Sequence, residues 1–500
     1  MSAADSDVLL LGRAGDLAIT LPLRFGNRHG LIAGATGTGK TVSVLRLVEG
    51  FSKAGVPVVI ADVKGDVAGM GMAGTLSPRL QQRLDALALP DFALAPSPMT
   101  PWDLFGRAGH PLRTTVSELG PTLLSRILDL SPAQAGVLDI AFALADAEGL
   151  LLLDLKDLRA VLSHVAEQRE AVSKQWGLVS SQSVAALQRA LLKFEQEGAE
   201  HLLGEPALQL DDLMRQAPDG RGMVNVIAAE TLVLKPRLYA SFLLWLLSEL
   251  FETLPEVGDL AQPKLVFVFD EAHLLFADCP PSLQQRIEQV VRLIRSKGIG
   301  VYFCTQSPSD LPDVILAQLG HRIQHALRAF TPRDQKAVRV AADTFVPNPA
   351  LDVARVISEL GVGEALVSTL DERGQPTPVQ RTLMVPPGCR LGAITADERA
   401  QLRANSGMAR LYDTTLDRDS AAEMLARRAA SAVAAPANSP TPSATAAPTA
   451  PGRLNDFLWG SGRRQGAVEA MTKTAARTVG STLGRQLLRG VLGGLLGGRR

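Results

Sequence analysis

Apolar and polar residues follow two different spacings along this chain, and the two spacings alternate. Short apolar runs bounded by Gly, Pro or Asp are typical of buried strands, whereas apolar residues three or four positions apart are typical of helices. The predicted strands are Val8–Arg28 (one or two strands), Gly30–Ala33, Pro57–Asp62, Met223–Ala228, Leu265–Phe269, Gly300–Gln306, His321–Leu327, Ala365–Ser368 and Gln380–Met384. The main helices predicted between them are Val42–Phe51, Lys235–Glu252 and Ser282–Lys297. This alternation predicts an α/β fold on a parallel sheet.

The stretch from Arg113 to Asp212 interrupts this alternation. It is rich in Leu, Ala, Gln and Glu at helical spacing and has almost no strand-like pattern, so it predicts an all-α insertion in the α/β core. The expected domains are the two parts of the core, the insertion, a helix with a Pro/Ala/Ser linker, and a basic tail, with the boundaries 1–110, 216–410, 111–215, 411–452 and 453–500 respectively.

A glycine-rich loop lies between the first buried strand and its helix. It matches the pattern G-x-x-x-x-G-K-[ST] in the residues Gly34, Ala35, Thr36, Gly37, Thr38, Gly39, Lys40 and Thr41. In this pattern backbone N–H groups surround a polyphosphate, the lysine bridges the β- and γ-phosphates, and the threonine holds Mg²⁺. The flanking strand and helix favour this interpretation over a glycine-rich turn that binds nothing, and the sequence therefore predicts a nucleoside triphosphate site.

Carboxylates and an amide follow three other predicted strands. Asp270 and Glu271 end one apolar strand, and in combination with the phosphate loop they are expected to support the Mg²⁺ shell and to polarise the attacking water, rather than only to cap a helix. Asp62 and Asp66 lie at the end of another strand. Their spacing fits two roles equally well, which are holding water or metal and capping a turn. Gln306 ends a third strand, as a γ-phosphate sensor or as an ordinary loop amide.

Composition adds limits. The 500 residues are 46% hydrophobic and carry 51 basic and 51 acidic side chains. The resulting net charge of zero does not indicate a protein that binds nucleic acid over its whole surface. The three cysteines lie far apart, which indicates neither a disulfide framework nor a zinc site. The first residues lack a basic signal region, and the apolar runs are shorter than the ~20 residues of a membrane-spanning helix, so a cytoplasmic protein without an integral membrane segment is expected.

The last part of the chain differs in composition from both the α/β core and the helical insertion. The Ala/Arg-rich stretch Ala422–Ala434 predicts a short helix, and the Pro/Ala/Ser/Thr-rich stretch that follows predicts a mobile linker. Beyond it, Arg453 to Arg500 contains nine basic and two acidic residues, with apolar residues at helical spacing. Such a basic amphipathic tail is suited to nucleic acid, an anionic membrane surface or a partner helix, and equally to docking on its own core.

Several separated motifs together resemble one family. They are Gly34–Thr41, Asp62–Asp66, Asp270–His273 and Ile294–Gly300, the last running into Thr305–Pro308. Their order and spacing resemble the HerA/FtsK superfamily of ring ATPases, and most of all the bacterial HerA-like proteins of the YjgR type. The resemblance covers nearly the whole chain.

The resemblance implies a RecA-like P-loop NTPase core, a homo-hexamer, and ATP hydrolysis between subunits with Mg²⁺ as cofactor, coupled in studied members to movement of DNA. It implies that Lys40 and Thr41 bind phosphate and Mg²⁺, and that Asp270 supports the metal. It further makes Glu271 the catalytic base and Gln306 the polar sensor. Arg295 matches the arginine finger that reaches a neighbouring subunit, with Arg292 as the second choice; without the resemblance, Arg295 is an ordinary cation at a helix end.

Two features depart from the family. The segment before the core is much shorter than the HerA barrel domain, and no recognisable DNA-reading module is present. Three functions therefore remain open at this stage. They are an ATPase that translocates or remodels DNA, an ATP-gated ring that recruits a protein or membrane partner through its tail, and a secretion-type ATPase, which usually needs a membrane anchor.

Overall fold

The computed structural model describes residues 7–276 and 281–434, with the side chains of residue 333 and residues 432–434 excepted. Within these ranges the chain forms a 12-stranded sheet in the order β2-β1-β12-β11-β10-β3-β9-β8-β4-β7-β5-β6. The strands are β1 (Val8–Ala14), β2 (Leu17–Pro22), β3 (Gly30–Ala33), β4 (Val58–Asp62), β5 (Met99–Asp103), β6 (His110–Pro111), β7 (Val224–Ala228), β8 (Leu265–Phe269), β9 (Ile299–Thr305), β10 (His321–Gln324), β11 (Glu364–Ser368) and β12 (Gln380–Met384).

Helices cover both faces of this sheet. Those before β7 are α1 (Lys40–Lys53), α2 (Pro78–Ala86), α3 (Val116–Ile127), α4 (Pro132–Glu148), α5 (Leu155–Glu167), α6 (Arg169–Trp176), α7 (Ser181–Gln196), α8 (Ala199–Leu202) and α9 (Leu210–Leu213). Those after β7 are α10 (Pro236–Thr253), α11 (His273–Phe276), α12 (Pro281–Ile294), α13 (Asp313–Leu316), α14 (Pro332–Asp343), α15 (Val353–Glu359), α16 (Ala396–Asn405), α17 (Ala409–Tyr412) and α18 (Ala421–Ala434). Short 3-10 helices lie at Leu23–Arg28, Ala68–Gly71, Leu232–Leu234, Arg295–Lys297 and Pro308–Asp310.

The sheet confirms the predicted α/β P-loop fold and adds an antiparallel flank to it. From β10 to β6 all neighbouring strands are parallel, and β3, β4, β8 and β9 are buried along their whole length. Such continuous burial is expected where helices cover both faces of a parallel sheet. The strands β11, β12, β1 and β2 pair antiparallel with their neighbours, and a short turn joins β1 to β2.

The helices α3 to α9 lie between β6 and β7 in the chain and bury their own apolar residues against one another. Leu138 of α4, Leu158 of α5 and Leu187 of α7 are fully buried. Caps fix the starts of several of these helices, since Thr115 and Glu118 form a reciprocal capping box at α3 and Asp154 caps α5. The helix α10, which is buried along almost its whole length, packs against α3 and so joins this group to the sheet layer.

Because the central strands are parallel, their ends define two distinct borders of the sheet. We call the border at the strand ends, which contains residues 34–39, 62–67, 270–272 and 306–310, the carboxyl rim. The opposite border, at the strand starts, contains residues 23–29 and 295–298 and is called the amino rim. Ligand sites of parallel α/β folds form at the carboxyl ends of the strands.

After β12 the chain crosses to the other side of the sheet as a strap, residues 385–413. Gly392 accepts a hydrogen bond from the backbone N–H of Gly69, and α16 packs against β5. At its end, the buried ring of His110 bonds Asp413 through Nδ1 and Ser406 through Nε2, each at 2.7 Å. The strap thereby joins the two flanks of the sheet.

Residues 7–420 lie in one compact unit, and α18 belongs to a second unit of which residues 421–434 are described. The predicted linker from residue 435 to 452 and the basic tail 453–500 lie outside the described residues. Within the described part of the chain, no helix combines the length and the apolarity that crossing a bilayer demands.

Candidate active site

The loop between β3 and α1 adopts a backbone that requires glycine. Gly34, Gly37 and Gly39 have φ of 153°, 79° and 110°, which is the left-handed region that side-chain-bearing residues avoid. A Cβ on Gly34 would also lie 2.5 Å from the Cβ of His325. Thr36 and Gly37 at the tip are exposed, so the loop is open to a ligand while α1 begins directly behind it at Lys40.

Lys40 is buried in this loop, with 6% of its surface exposed. Its Nζ donates hydrogen bonds to the backbone oxygens of Gly34 at 2.6 Å and Ala35 at 3.2 Å. The ammonium group therefore lies within the curve of the loop, where the positive end of α1 also favours anions. A polyphosphate entering the loop would compete with these carbonyls for the ammonium group.

The neighbouring strand β10 and the start of β11 brace the loop. Ala35 donates its N–H to the carbonyl of Ala326 at 2.8 Å, and Gly363 donates to the carbonyl of Thr38 at 3.2 Å. The ring of His325 lies 2.9 Å from Ser43 Oγ through Nε2 and 2.9 Å from the carbonyl oxygen of Glu364 through Nδ1. Burial lowers the pKa of His325 to about 4, so the ring is neutral near pH 7. The loop is thus held from outside as well as by its own turns.

Asp270 and Glu271 extend from the end of β8 toward this loop. Asp270 is 5% exposed, and its Oδ2 has no hydrogen-bond partner among the described residues. Burial, reinforced by the charge of Glu271, raises the pKa of Asp270 to about 6. Glu271 has φ of 46°, which is unusual for a residue with a side chain and indicates local strain at the site.

Lys64 forms an ion pair with Glu271, a contact that sequence reasoning missed. Burial alone would raise the pKa of Glu271, but the hydrogen bond and charge of Lys64 outweigh it, and the pKa is lowered. Gln306 Nε2 lies 3.4 Å from the other carboxylate oxygen of Glu271. The sequence places Lys64 within the Asp62–Asp66 motif. Its partner Glu271 is evident only from the pairing of β4 with β8.

The turn after β4 contains the two aspartates whose roles were open. Asp62 accepts hydrogen bonds from the N–H groups of Gly65 at 2.8 Å and Val67 at 3.1 Å, so it does cap this turn. Burial, with the nearby charge of Glu230, raises the pKa of Asp62 to about 7. Asp62, Asp66 and Asp270 also come together, because one carboxylate oxygen of each lies within 4.8 Å of the others.

Arg295 and Arg292 do not belong to this cluster. Arg295 lies in the 3-10 helix directly before β9, whereas Gln306 directly follows β9, so the seven-residue strand separates them by about 20 Å. Arg292 lies in the last turn of α12, also toward the amino rim. Partial burial and the neighbouring charge of Arg28 lower the pKa of Arg295, whose side chain remains exposed. Neither arginine can reach the phosphate loop of its own chain.

A cavity of about 520 Å³ adjoins the phosphate loop. Gly39 and Val42 form one wall, and Gly363 and Met384 form another. Arg83 closes a third side and is held by hydrogen bonds to the carbonyls of Val362 and Gly363, both at 3.0 Å. The lining is largely apolar, as is common in ligand pockets.

Comparison with known proteins gives a family match along most of the chain. The family described as "Helicase HerA-like C-terminal" matches residues 8–500. The DNA double-strand break repair helicase HerA of Saccharolobus solfataricus is 29% identical over 104 residues, which is 21% of this chain and 20% of that protein. A probable helicase of Methanocaldococcus jannaschii, MJECL08, is 30% identical over 116 residues, 22% of this chain and 20% of that protein. The chain thus aligns with about a fifth of each of these relatives.

Two solved structures illustrate the structural neighbours. The bacterial conjugative coupling protein TrwB is 15% identical with a TM-score of 0.49, over 77% of this chain and 92% of that one. VirB4 of Thermoanaerobacter pseudethanolicus is 14% identical with a TM-score of 0.47, over 78% of this chain and 97% of that one.

Proposed function

Because the chain belongs to the HerA-like helicase C-terminal family, we propose that it is an ATP hydrolase that translocates or remodels DNA as a homo-oligomeric ring. The observation that carries this proposal is the cluster at the carboxyl rim, where the phosphate loop, Asp270 and Glu271 meet Lys64 and Gln306. The family resemblance supplies the hexameric state as a further part of the proposal, which also keeps the cytoplasmic location expected from the sequence.

The residues present fit a magnesium–nucleotide complex. The buried Asp270 Oδ2 lacks a hydrogen-bond partner among the described residues, and an ionised carboxylate in that position favours a cation. Thr41 at the start of α1 and Asp270 at the end of β8 are the two residues that would hold Mg²⁺. When bound, the ion would supply positive charge that offsets the negative charge developing on the phosphate oxygens.

Each remaining step is assigned to a side chain of this site. The N–H groups of residues 34–40 bind the phosphates, and Lys40 contacts the β- and γ-oxygens. Glu271 orients a water and accepts its proton as the water oxygen attacks the γ-phosphorus and the bond to the β-phosphate oxygen breaks. Lys64 keeps Glu271 ionised, and Gln306 positions the water or the γ-phosphate. The cavity beside Gly39 and Val42 receives the nucleobase.

The opposite positions of Arg295 and the phosphate loop support a shared site between subunits. An arginine at the amino rim can stabilise the γ-phosphate only in a neighbouring chain that presents its carboxyl rim. Contact between two different surfaces of identical chains is heterologous, and such contacts close into rings when the rotation permits. We assign the trans role to Arg295, with Arg292 as the second choice.

Steady-state ATP hydrolysis by the full chain, with and without double-stranded DNA, tests this proposal, with Glu271→Gln as the control for the chemistry. A Glu271-dependent rate that rises several-fold with DNA is the expected result. A rate that is indifferent to DNA would leave the ATPase intact and transfer the search to a protein or anionic membrane partner of the tail. Absence of hydrolysis in the assembled protein would overturn the proposal itself.

A further inference from the structure

We propose that Asp62, Asp66 and Asp270 form a second divalent-cation site, which takes Mg²⁺ or Mn²⁺ in the absence of nucleotide. It differs from the magnesium–nucleotide position because it uses the two aspartates of the β4 turn instead of Thr41. The inference stands apart from ATP hydrolysis, since it concerns binding to the nucleotide-free protein.

Two independent observations indicate a ligand here. One carboxylate oxygen of each aspartate lies within 4.8 Å of the others, in a place where Asp62 and Asp270 are almost fully buried. In addition, Asp270 Oδ2 and Asp66 Oδ1 are buried atoms without a hydrogen-bond partner among the described residues. Buried carboxylate oxygens are normally satisfied by donors or cations, so these two atoms lack what such groups require.

The protein supplies too little positive charge to this cluster. The ammonium group of Lys64 is paired with Glu271, and that of Lys40 donates to carbonyls of the phosphate loop. Glu230 adds a further acidic group, because a Cβ on Gly65 would lie 2.6 Å from its Oε1, beside the β4 turn. Buried like charges at this spacing need a counter-charge, and a divalent cation supplies it at one point.

The geometry suits a small cation with oxygen ligands. In magnesium sites the metal–oxygen distance is about 2.1 Å, so oxygens on opposite sides of the ion are about 4.2 Å apart. The observed limit of 4.8 Å needs only a small contraction. Asp62 is fixed by Gly65 and Val67, and Asp270 continues a strand in register with β4, so Asp66 on its turn makes the adjustment.

Occupancy would connect two parts of the active site. The turn with Asp62 and Asp66 also contains Lys64, and Asp270 precedes Glu271. A cation shared by these aspartates would hold the β4 turn against the end of β8, and so keep Lys64 beside Glu271. The cation site is therefore positioned to organise the active site before nucleotide binds, rather than to bind the nucleotide itself.

Titration of Mn²⁺ into the full-length, nucleotide-free protein tests the inference, with free Mn²⁺ measured by its paramagnetic resonance signal. We expect one high-affinity site per chain, competed by Mg²⁺. Asp66→Asn should weaken it about tenfold or more, whereas Thr41→Ala should leave it unchanged. The matched control is Asp91→Asn, which removes an exposed carboxylate elsewhere on the chain and should bind as the wild type does.

A second readout covers the case in which Asp66→Asn is unstable. Mg²⁺ should raise the unfolding temperature of the nucleotide-free wild-type chain, and Asp66→Asn should lose this increase while Thr41→Ala retains it. The inference is overturned if Mn²⁺ binds only when nucleotide is present, or if Thr41→Ala and not Asp66→Asn abolishes binding. Either result would leave the proposed ATP hydrolysis untouched.

Discussion

The two rims of the sheet are built from the same strands but carry opposite chemistry. The carboxyl rim contains the phosphate loop and six carboxylates, namely Asp62, Asp66, Glu230, Asp270, Glu271 and Asp310. The amino rim contains a group of cations, namely Arg24, Arg28, Arg295 and Lys297. The length of a strand separates the two rims. One chain therefore carries both an acidic and a basic surface but cannot bring the two into contact with each other.

The rims also use backbone strain differently. Each has a side-chain-bearing residue at positive φ directly beside a central strand, which costs of the order of 1 kcal/mol. At the amino rim this residue is His29, whose buried ring lies 3.0 Å from the carbonyl of Val291 and accepts the N–H of Val301 at 3.0 Å. At the carboxyl rim it is Glu271, which is held by Lys64. Strain therefore accompanies packing at one rim and the side chain of the proposed base at the other.

Among the variants that test the difference between the two rims, loss of the phosphate-loop lysine should reduce nucleotide binding and hydrolysis the most. Lys40→Ala removes the only ammonium group inside the loop of the described chain, so nucleotide binding and hydrolysis should both fall below detection. Binding of a fluorescent ATP analogue and steady-state turnover measure the two losses. A variant that still binds nucleotide at wild-type affinity would contradict the assignment of the carboxyl rim.

Glu271→Gln should separate binding from chemistry. The amide keeps the shape of the side chain but cannot accept the proton, so we expect turnover to fall about 10³-fold while nucleotide affinity is nearly unchanged. Single-turnover hydrolysis and equilibrium binding provide the measurement. Equal losses in both would mean that Glu271 acts through binding rather than as the base.

Arg295→Ala tests whether the amino rim completes the site of a neighbour. A finger arginine contributes to the transition state, so hydrolysis should fall by about 10²-fold or more with binding retained. Mixing Arg295→Ala chains with Lys40→Ala chains should restore part of the activity, because some interfaces then pair an intact loop with an intact arginine. Arg24→Ala, an exposed arginine of the same rim, is the matched control, and Arg292→Ala tests the second choice. No recovery in mixed assemblies would contradict a shared site.

Lys64→Met should have a smaller effect, of about tenfold on turnover. The substitution keeps most of the length of the side chain but removes the charge that orients Glu271. Lys64→Arg should recover part of the rate because it restores an ion pair, and Lys53→Met, on the surface of α1, is the control. If Lys64→Met leaves turnover unchanged, the ion pair has no part in positioning the base.

The smallest predicted effect concerns stability rather than catalysis. Burial lowers the pKa of His29 and of His321, both at the amino rim, from 6.5 to about 4. The unfolded chain therefore binds more protons between these values, and stability should fall as pH decreases from about 6.5 toward 4. At pH 5.5 we expect the free energy of unfolding to be lower by about 1 kcal/mol per histidine, as measured by urea unfolding at several pH values. His201→Asn, an exposed histidine, should leave this slope unchanged, and a slope absent from the wild type would contradict the prediction.

Local motifs made part of the site predictable. The phosphate loop is contiguous, and its glycines, Lys40 and Thr41 are specified by their own backbone, so their place in a strand–loop–helix unit followed from sequence. Asp270, Glu271 and Gln306 could be anticipated because each ends an apolar strand. Their catalytic roles remain predictions that the variants above would test.

Strand order made the rest unpredictable. Apolar patterns reveal that β4 and β8 exist but not that they are neighbours, so the pairing of Lys64 with Glu271 was hidden. The bracing of the phosphate loop by His325 depends on β10 lying beside β3. The antiparallel flank likewise depends on which strands pair, and short runs such as β11 and β12 give no sign of direction. These features arise from long-range packing, which local periodicity does not encode.

The strap and the flank have a consequence for the order of synthesis. The strand β1 is made before its partner β12, which follows it by about 370 residues because Gly12 pairs with Met384. The His110–Asp413 contact is delayed in the same way. The helices α3 to α9 can pack early because their contacts are local, whereas β1 waits with an unpaired edge that is open to wrong partners. We therefore expect a truncated chain ending before β12 to aggregate, and full-length synthesis to depend on protection of this edge.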